Sequence, residues 1–194
     1  MPDAMVRAFL AIGLPETIRT TLTQVIEQFR AQRVSAVRWV PAENIHLTLR
    51  FLGSSSTTTL ERLAQPLKLA CAACPPMEIR LKEVGAFPNQ RRPRVVWVGL
   101  SAPPALEILY QAVEKLVVKE GFAAEERGFS PHLTLGRVRK DAHPVELSAI
   151  SDALSNVRVQ SSLEFTASRL TLYRSDLRPS GAVYTTLANF DLQG

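Results

Sequence analysis

A chain of 194 residues that is 46% hydrophobic and 21% charged can bury an ordinary core, which excludes a disordered chain and a fibrous repeat. Its net charge of +5 rests on 23 basic side chains, 18 of them arginine, whose planar guanidinium suits bidentate contact with phosphate and makes acidic partners plausible. The apolar run near the N-terminus, residues 8–14, falls well short of the roughly 20 residues a bilayer span needs and lacks a signal-peptide pattern, so the expectation is a cytoplasmic protein with no membrane segment.

In chain order, residues 6–14 form a β-branched and aromatic run that predicts a strand. Residues 16–33 carry Ile18, Leu22, Val25, Ile26 and Phe29 at helical spacing. Residues 46–52 alternate polar and apolar, 60–69 predict a short helix, and 77–84 alternate again. Cys71 and Cys74, in the Ala/Leu-rich helical stretch that ends at Pro75, form a lone C-x-x-C. A structural zinc site needs a second ligand pair, so they read as reduced core or helix-end thiols.

The proline- and arginine-rich stretch 88–94 predicts an exposed loop, and the pattern then repeats. Strands are expected over 94–100, 131–138, 162–173 and 183–192, with helices over 106–119 and 146–154. Trp39 and Trp97 fall in strands and are expected in the core. His143, before Pro144 in a polar stretch, is expected at the surface.

The repetition has one register. His46-Leu47-Thr48-Leu49 recurs 86 residues later as His132-Leu133-Thr134-Leu135, and Gly13-Leu14, Leu22 and Met77-Glu78-Ile79 fall on Gly99-Leu100, Ile108 and Leu163-Glu164-Phe165. Each half is small for a core of its own, so two similar lobes are expected to pack across a cleft related by a pseudo-twofold axis.

In a strand, side chains alternate faces, so His46 and Thr48 point one way and Leu47 and Leu49 the other; His132 and Thr134 do the same. The leucines can anchor each strand while an imidazole and a hydroxyl from each repeat face the cleft. Two histidines on opposite sides of a phosphate can divide acid and base work near neutrality without a metal or a nucleophilic serine. The threonine hydroxyls can hold non-bridging oxygens, where charge grows in the transition state.

The segments Ile45-His46-Leu47-Thr48-Leu49-Arg50-Phe51-Leu52-Gly53 and Pro131-His132-Leu133-Thr134-Leu135-Gly136-Arg137 carry a resemblance that spans essentially the whole chain. It is to the two-histidine (2H) phosphoesterases, specifically the bacterial and archaeal RNA 2',3'-cyclic phosphodiesterases first described as RNA 2',5'-ligases. The resemblance implies an α+β fold, a single bilobal catalytic domain over 1–194. Two pseudo-symmetric βαβαβ repeats, about 1–90 and 91–194, would turn mostly antiparallel sheets toward a central cleft. It further implies His46 as proton donor to the leaving oxygen, His132 as the base that activates water, Thr48, Thr134 and Arg137 as phosphate ligands, and Phe51 near the nucleobase. Strict alternation puts Arg137 on the face opposite His132, so a bulge or strand end near Gly136 is expected to turn it inward.

The implied activity is hydrolysis of RNA or nucleoside 2',3'-cyclic phosphates to a 2'-phosphomonoester, with no cofactor and by a monomer. Three alternatives stand beside it: reversible 2',5' RNA ligation by the same residues, a catalytically silent RNA or nucleotide-binding module, and a metal-dependent hydrolase. The last lacks an Asp, Glu or third His at ligand spacing to either motif. Arg91, Arg92 and Arg94 read as a solvated loop or as an electrostatic guide for RNA phosphates.

Overall fold

A computed structural model describes residues 4–160, 162–179 and 181–194. The first half forms β1 (Met5–Ile12), α1 (Glu16–Ala31), β2 (Val37–Trp39), a one-turn 3-10 helix (Ala42–Asn44), β3 (Leu47–Ser56), α2 (Thr57–Ala72) and β4 (Met77–Phe87). The second forms β5 (Val95–Ser101), α3 (Pro104–Lys119), β6 (His132–Val138), α4 (Pro144–Asn156), β7 (Glu164–Ala167), β8 (Arg169–Arg178) and β9 (Gly181–Asp191). The stretch 162–173, expected as one strand, is interrupted at Ser168, and β2 is too short to have shown a period in the sequence.

Helix faces follow the apolar spacing. Ile18, Leu22, Val25, Ile26 and Phe29 of α1 are all buried. The Ser56 hydroxyl begins α2 by accepting the Thr59 amide at 3.1 Å, satisfying one of the unpaired donors of a helix start. Cys71 and Cys74 are both buried, and burial, aided by Cys74, pushes the Cys71 thiol up to about 12.

All described strand pairings are antiparallel, and the strand order is β7-β4-β5-β6-β3-β1-β8-β9, with β2 beside β6. Between β3 and β6 the register holds one pair, Leu47 opposite Leu133, and this narrow seam divides the sheet into two lobes. Each lobe is completed by the other half of the sequence. β4 leaves the first half to pair with β5, and β8 leaves the second to pair with β1. The break at Ser168 follows from this exchange, because β7 pairs with β4 in one lobe while β8 pairs with β1 in the other. Neither half therefore contains a self-sufficient sheet, and one apolar core runs from Leu10 and Leu47 to Leu133 and Val98.

Candidate active site

His46 directly precedes β3 and His132 opens β6, on either side of the Leu47–Leu133 seam. The intervening leucines are buried, while the histidines and threonines of both motifs remain partly open. Thr48, Thr134, Phe51 and Arg137 line two adjoining cavities. One, of about 110 Å³, reaches His46 and Tyr184. The other, of about 730 Å³, reaches His132. The six residues singled out from the sequence are thus brought together.

The bulge anticipated near Gly136 is present, and it has a twin. Between β5 and β6 the register passes from Val96 opposite Gly136 to Trp97 opposite Thr134, leaving Leu135 as an extra residue. Between β1 and β3 it passes from Leu10 opposite Arg50 to Ala11 opposite Thr48, leaving Leu49 extra. Leu49 and Leu135 are equivalent in the repeat. Each bulge breaks the alternation, so that Leu49-Arg50 and Leu135-Gly136 are buried in succession, and Phe51 and Arg137 emerge on the face of the preceding histidine and threonine. Gly136 is required by its neighbours: a Cβ there would lie 2.5 Å from Val37 Cγ1 and 3.0 Å from the Arg38 carbonyl oxygen of β2.

The ring orientations are set by main-chain carbonyls. His46 Nδ1 lies 2.8 Å from the Asn44 oxygen and His132 Nδ1 lies 2.8 Å from the Ser130 oxygen. A carbonyl only accepts, so Nδ1 carries the proton in both rings, leaving Nε2 as the nitrogen that gains and loses one. Asn44 is itself tied to β9 by its side-chain amide, which donates to the Ala182 oxygen at 2.9 Å.

Several residues that surround the histidines were not singled out from the sequence. The His46 ring stacks on Phe9 at 4.7 Å and 27° and meets Tyr184 edge-on at 5.4 Å and 81°. Burial there lowers its pKa from 6.5 to about 4, against an opposing contribution from the Asn44 carbonyl. His132 meets Phe87 edge-on at 4.9 Å. Its pKa is lowered first by burial, opposed by the Ser130 carbonyl, and lowered further by Arg137. Tyr173, within β8, stacks on Phe9 at 5.2 Å and lies 6.4 Å from His46, and a signal for it and for Phe87, the last residue of β4, existed, since the two stand 86 residues apart.

Trp97 departs from the expectation of a core residue. Val96 and Val98 point into the core, so Trp97 takes the opposite face, half-buried and 6.4 Å from His132. Trp39 is also only partly buried, packed on Phe29 at 5.2 Å. His143 is exposed as expected, immediately before α4, where its amide donates to Glu146 at 2.9 Å. In the 88–94 loop Arg91, Arg92 and Arg94 are all exposed, but only Arg94 lines the larger cavity. Among the described residues no group of three or more His, Cys, Asp or Glu side chains is arranged to hold a metal ion, and no helix is long and apolar enough to cross a membrane.

A family model described as the 2'-5' RNA ligase superfamily matches residues 15–179. The chain is 35% identical, over 187 residues, to the RNA 2',3'-cyclic phosphodiesterase of Methanothermobacter thermautotrophicus, covering 96% of this chain and 99% of that protein. It also matches the crystal structure of TT0787 of Thermus thermophilus with a TM-score of 0.76 and 30% identity, covering 97% of this chain and 98% of the other. E. coli LigT complexed with 3'-AMP gives a TM-score of 0.76 at 26% identity, covering 98% of this chain and all of that one.

Proposed function

The chain belongs to the 2'-5' RNA ligase superfamily, and from that premise we propose that it acts as a metal-independent RNA 2',3'-cyclic phosphodiesterase, opening terminal cyclic phosphates to a 2'-phosphomonoester and a free 3'-hydroxyl. The name of its relative from Methanothermobacter thermautotrophicus favours hydrolysis over ligation. One observation supports the chemistry above the others. Two histidines, each with Nδ1 fixed by a main-chain carbonyl, adjoin cavities that share Thr48, Thr134 and Arg137.

In this reading the cyclic phosphate sits where the two cavities join. His132 Nε2 takes a proton from water as the water oxygen forms its bond to phosphorus. The bond from phosphorus to O3' breaks on the far side, and His46, protonated at Nε2, gives its proton to O3'. Exchange with solvent then restores both rings. Thr48, Thr134 and Arg137 hold the non-bridging oxygens, where negative charge accumulates. Phe51 stacks on the base and helps to orient the ribose.

His46 must be charged to act as the acid, yet its burial favours the neutral ring. The substrate resolves this, because a phosphodiester anion beside the ring favours imidazolium. Residues 1–194 would work as one bilobal catalytic unit, as a monomer, on RNA ends or nucleotides with a 2',3'-cyclic phosphate. The buried, reduced thiols accord with the cytoplasm.

The test is incubation of the purified protein with a nucleoside 2',3'-cyclic phosphate, with and without a strong chelator, followed by phosphorus NMR of the product. Turnover that survives chelation and yields the 2'-phosphate is expected. A predominant 3'-phosphate would exchange the roles of His46 and His132, and loss of turnover on chelation would sink the metal-independent mechanism.

A further inference from the structure

The two cavities differ greatly in size. The one beside His46 holds about 110 Å³, too little for a nucleoside. The one beside His132 holds about 730 Å³, within the roughly 300–1,000 Å³ that enclose whole small-molecule ligands. Phe51, which receives the terminal base, lines both cavities, so the terminal nucleoside takes up part of the larger one, and Arg94, Arg127, Pro88 and Phe129 bound the rest of it.

The charge of that cavity is also unbalanced. Arg94 enters it from the 88–94 loop, Arg127 from the loop between α3 and β6, and Arg137 from β6. Among the described residues none of the three makes an ion pair. The one carboxylate lining the cavity, Glu125, is already engaged by Arg50 at 3.3 Å. Arg50 is buried, pairs with Glu114 at 2.8 Å and donates to the Ala123 carbonyl, while the Glu125 amide donates to Glu114 at 2.8 Å. This cluster clamps the start of the α3–β6 loop to β3 and fixes the wall that carries Arg127; its single guanidinium leaves one of the two carboxylate charges unmatched, and the three arginines Arg94, Arg127 and Arg137 outweigh it. Between them the wall offers apolar surface from Pro88 and Phe129.

Resting on the function proposed above, we infer that the larger cavity is an oligonucleotide subsite, in which Arg94 and Arg127 hold the phosphodiester on the 5' side of the terminal nucleotide while Pro88 and Phe129 face the adjoining sugar and base. Guanidinium groups without an intramolecular partner, set in an apolar cavity, favour an anion that arrives with its own apolar surface. An internal RNA phosphodiester meets that description, and a mononucleoside cyclic phosphate has no group to reach them. The enzyme therefore discriminates by length, preferring an RNA end to a free cyclic nucleotide.

The experiment compares kcat/KM on a nucleoside 2',3'-cyclic phosphate and on a dinucleotide ending in the same group, for the wild type and for Arg94→Gln/Arg127→Gln. Both side chains are exposed, and the Arg94 main chain keeps its bonds to Phe87 and Val138, so the variant folds. Expected is a wild-type preference for the dinucleotide of roughly tenfold at low salt, declining as salt rises through counterion competition, and its collapse toward unity in the variant. A wild type indifferent to length, or a variant that retains the preference even if both rates fall, overturns the subsite. Failure of the wild type to turn over either substrate overturns the enzymatic reading itself, and this one with it.

Discussion

Lowering the pH should unfold this protein in part through one histidine. His46 titrates near 6.5 in the unfolded chain and at about 4 in the fold, because Phe9 and Tyr184 enclose it and no carboxylate among the described residues pairs with it. The unfolded chain therefore takes up the proton at higher pH than the folded one. The stability contributed by the neutral ring is fully present above about pH 6.5 and is lost as pH falls toward 4. At 1.36 kcal/mol per pH unit, the loss from this group between pH 7 and 4.5 is about 2.5 kcal/mol. Urea unfolding of the wild type and His46→Gln at both pH values measures it: the wild type should lose about that much more than the variant, which retains His132 and every carboxylate. The same ring gives a binding prediction. One negative charge about 4 Å away is worth about 4 kcal/mol at an effective dielectric constant of about 20, enough to offset the burial, so a bound 2'-nucleotide should raise the His46 pKa by about three pH units. Proton–nitrogen NMR follows Nε2 directly. A free ring that titrates near 6.5, or one unmoved by the nucleotide, would refute the reasoning.

Three further outcomes are expected. His46→Ala and His132→Ala should each reduce turnover by roughly 10² to 10⁴, with the double variant far less than multiplicatively worse; near-normal turnover in either single variant would end the paired-histidine mechanism. Phe51, 58% exposed, should on truncation to Ala raise KM by the equivalent of roughly 1–3 kcal/mol and leave the melting temperature alone, whereas an unchanged KM with a large loss of stability would make it a packing residue. Gly136→Ala, whose new methyl would press on Val37 and the Arg38 carbonyl, should destabilise by roughly 1–3 kcal/mol and depress turnover by moving Arg137. A variant with normal melting and normal turnover would show that the bulge tolerates a side chain.

How much of this was legible beforehand depends on the range of the interaction concerned. The buried face of α1, the strand character of the two motifs and the repeat of 86 residues are local or periodic properties, and the sequence carried them because helix and strand impose periods of 3.6 and 2 on burial. The pairing of His46 with His132 was legible for the same reason, as a duplicated alternation of polar and apolar residues. The need for a bulge at Gly136 was visible as a conflict between alternation and the role expected of Arg137, but its twin at Leu49 was not, since nothing local in Leu49-Arg50 announces an extra residue. Long-range pairing was decided only in the tertiary structure. The exchange of β4 and β8 between lobes splits the 162–173 stretch at Ser168 and carries Phe87 and Tyr173 into the opposite halves' sites. The enclosure of His46 by Phe9 and Tyr184, residues 175 positions apart in the chain, sets its pKa, and no window along the sequence contains that contact. A side chain's chemistry is written at its own position, whereas its dielectric surroundings are supplied by whichever distant strands the closed sheet brings beside it.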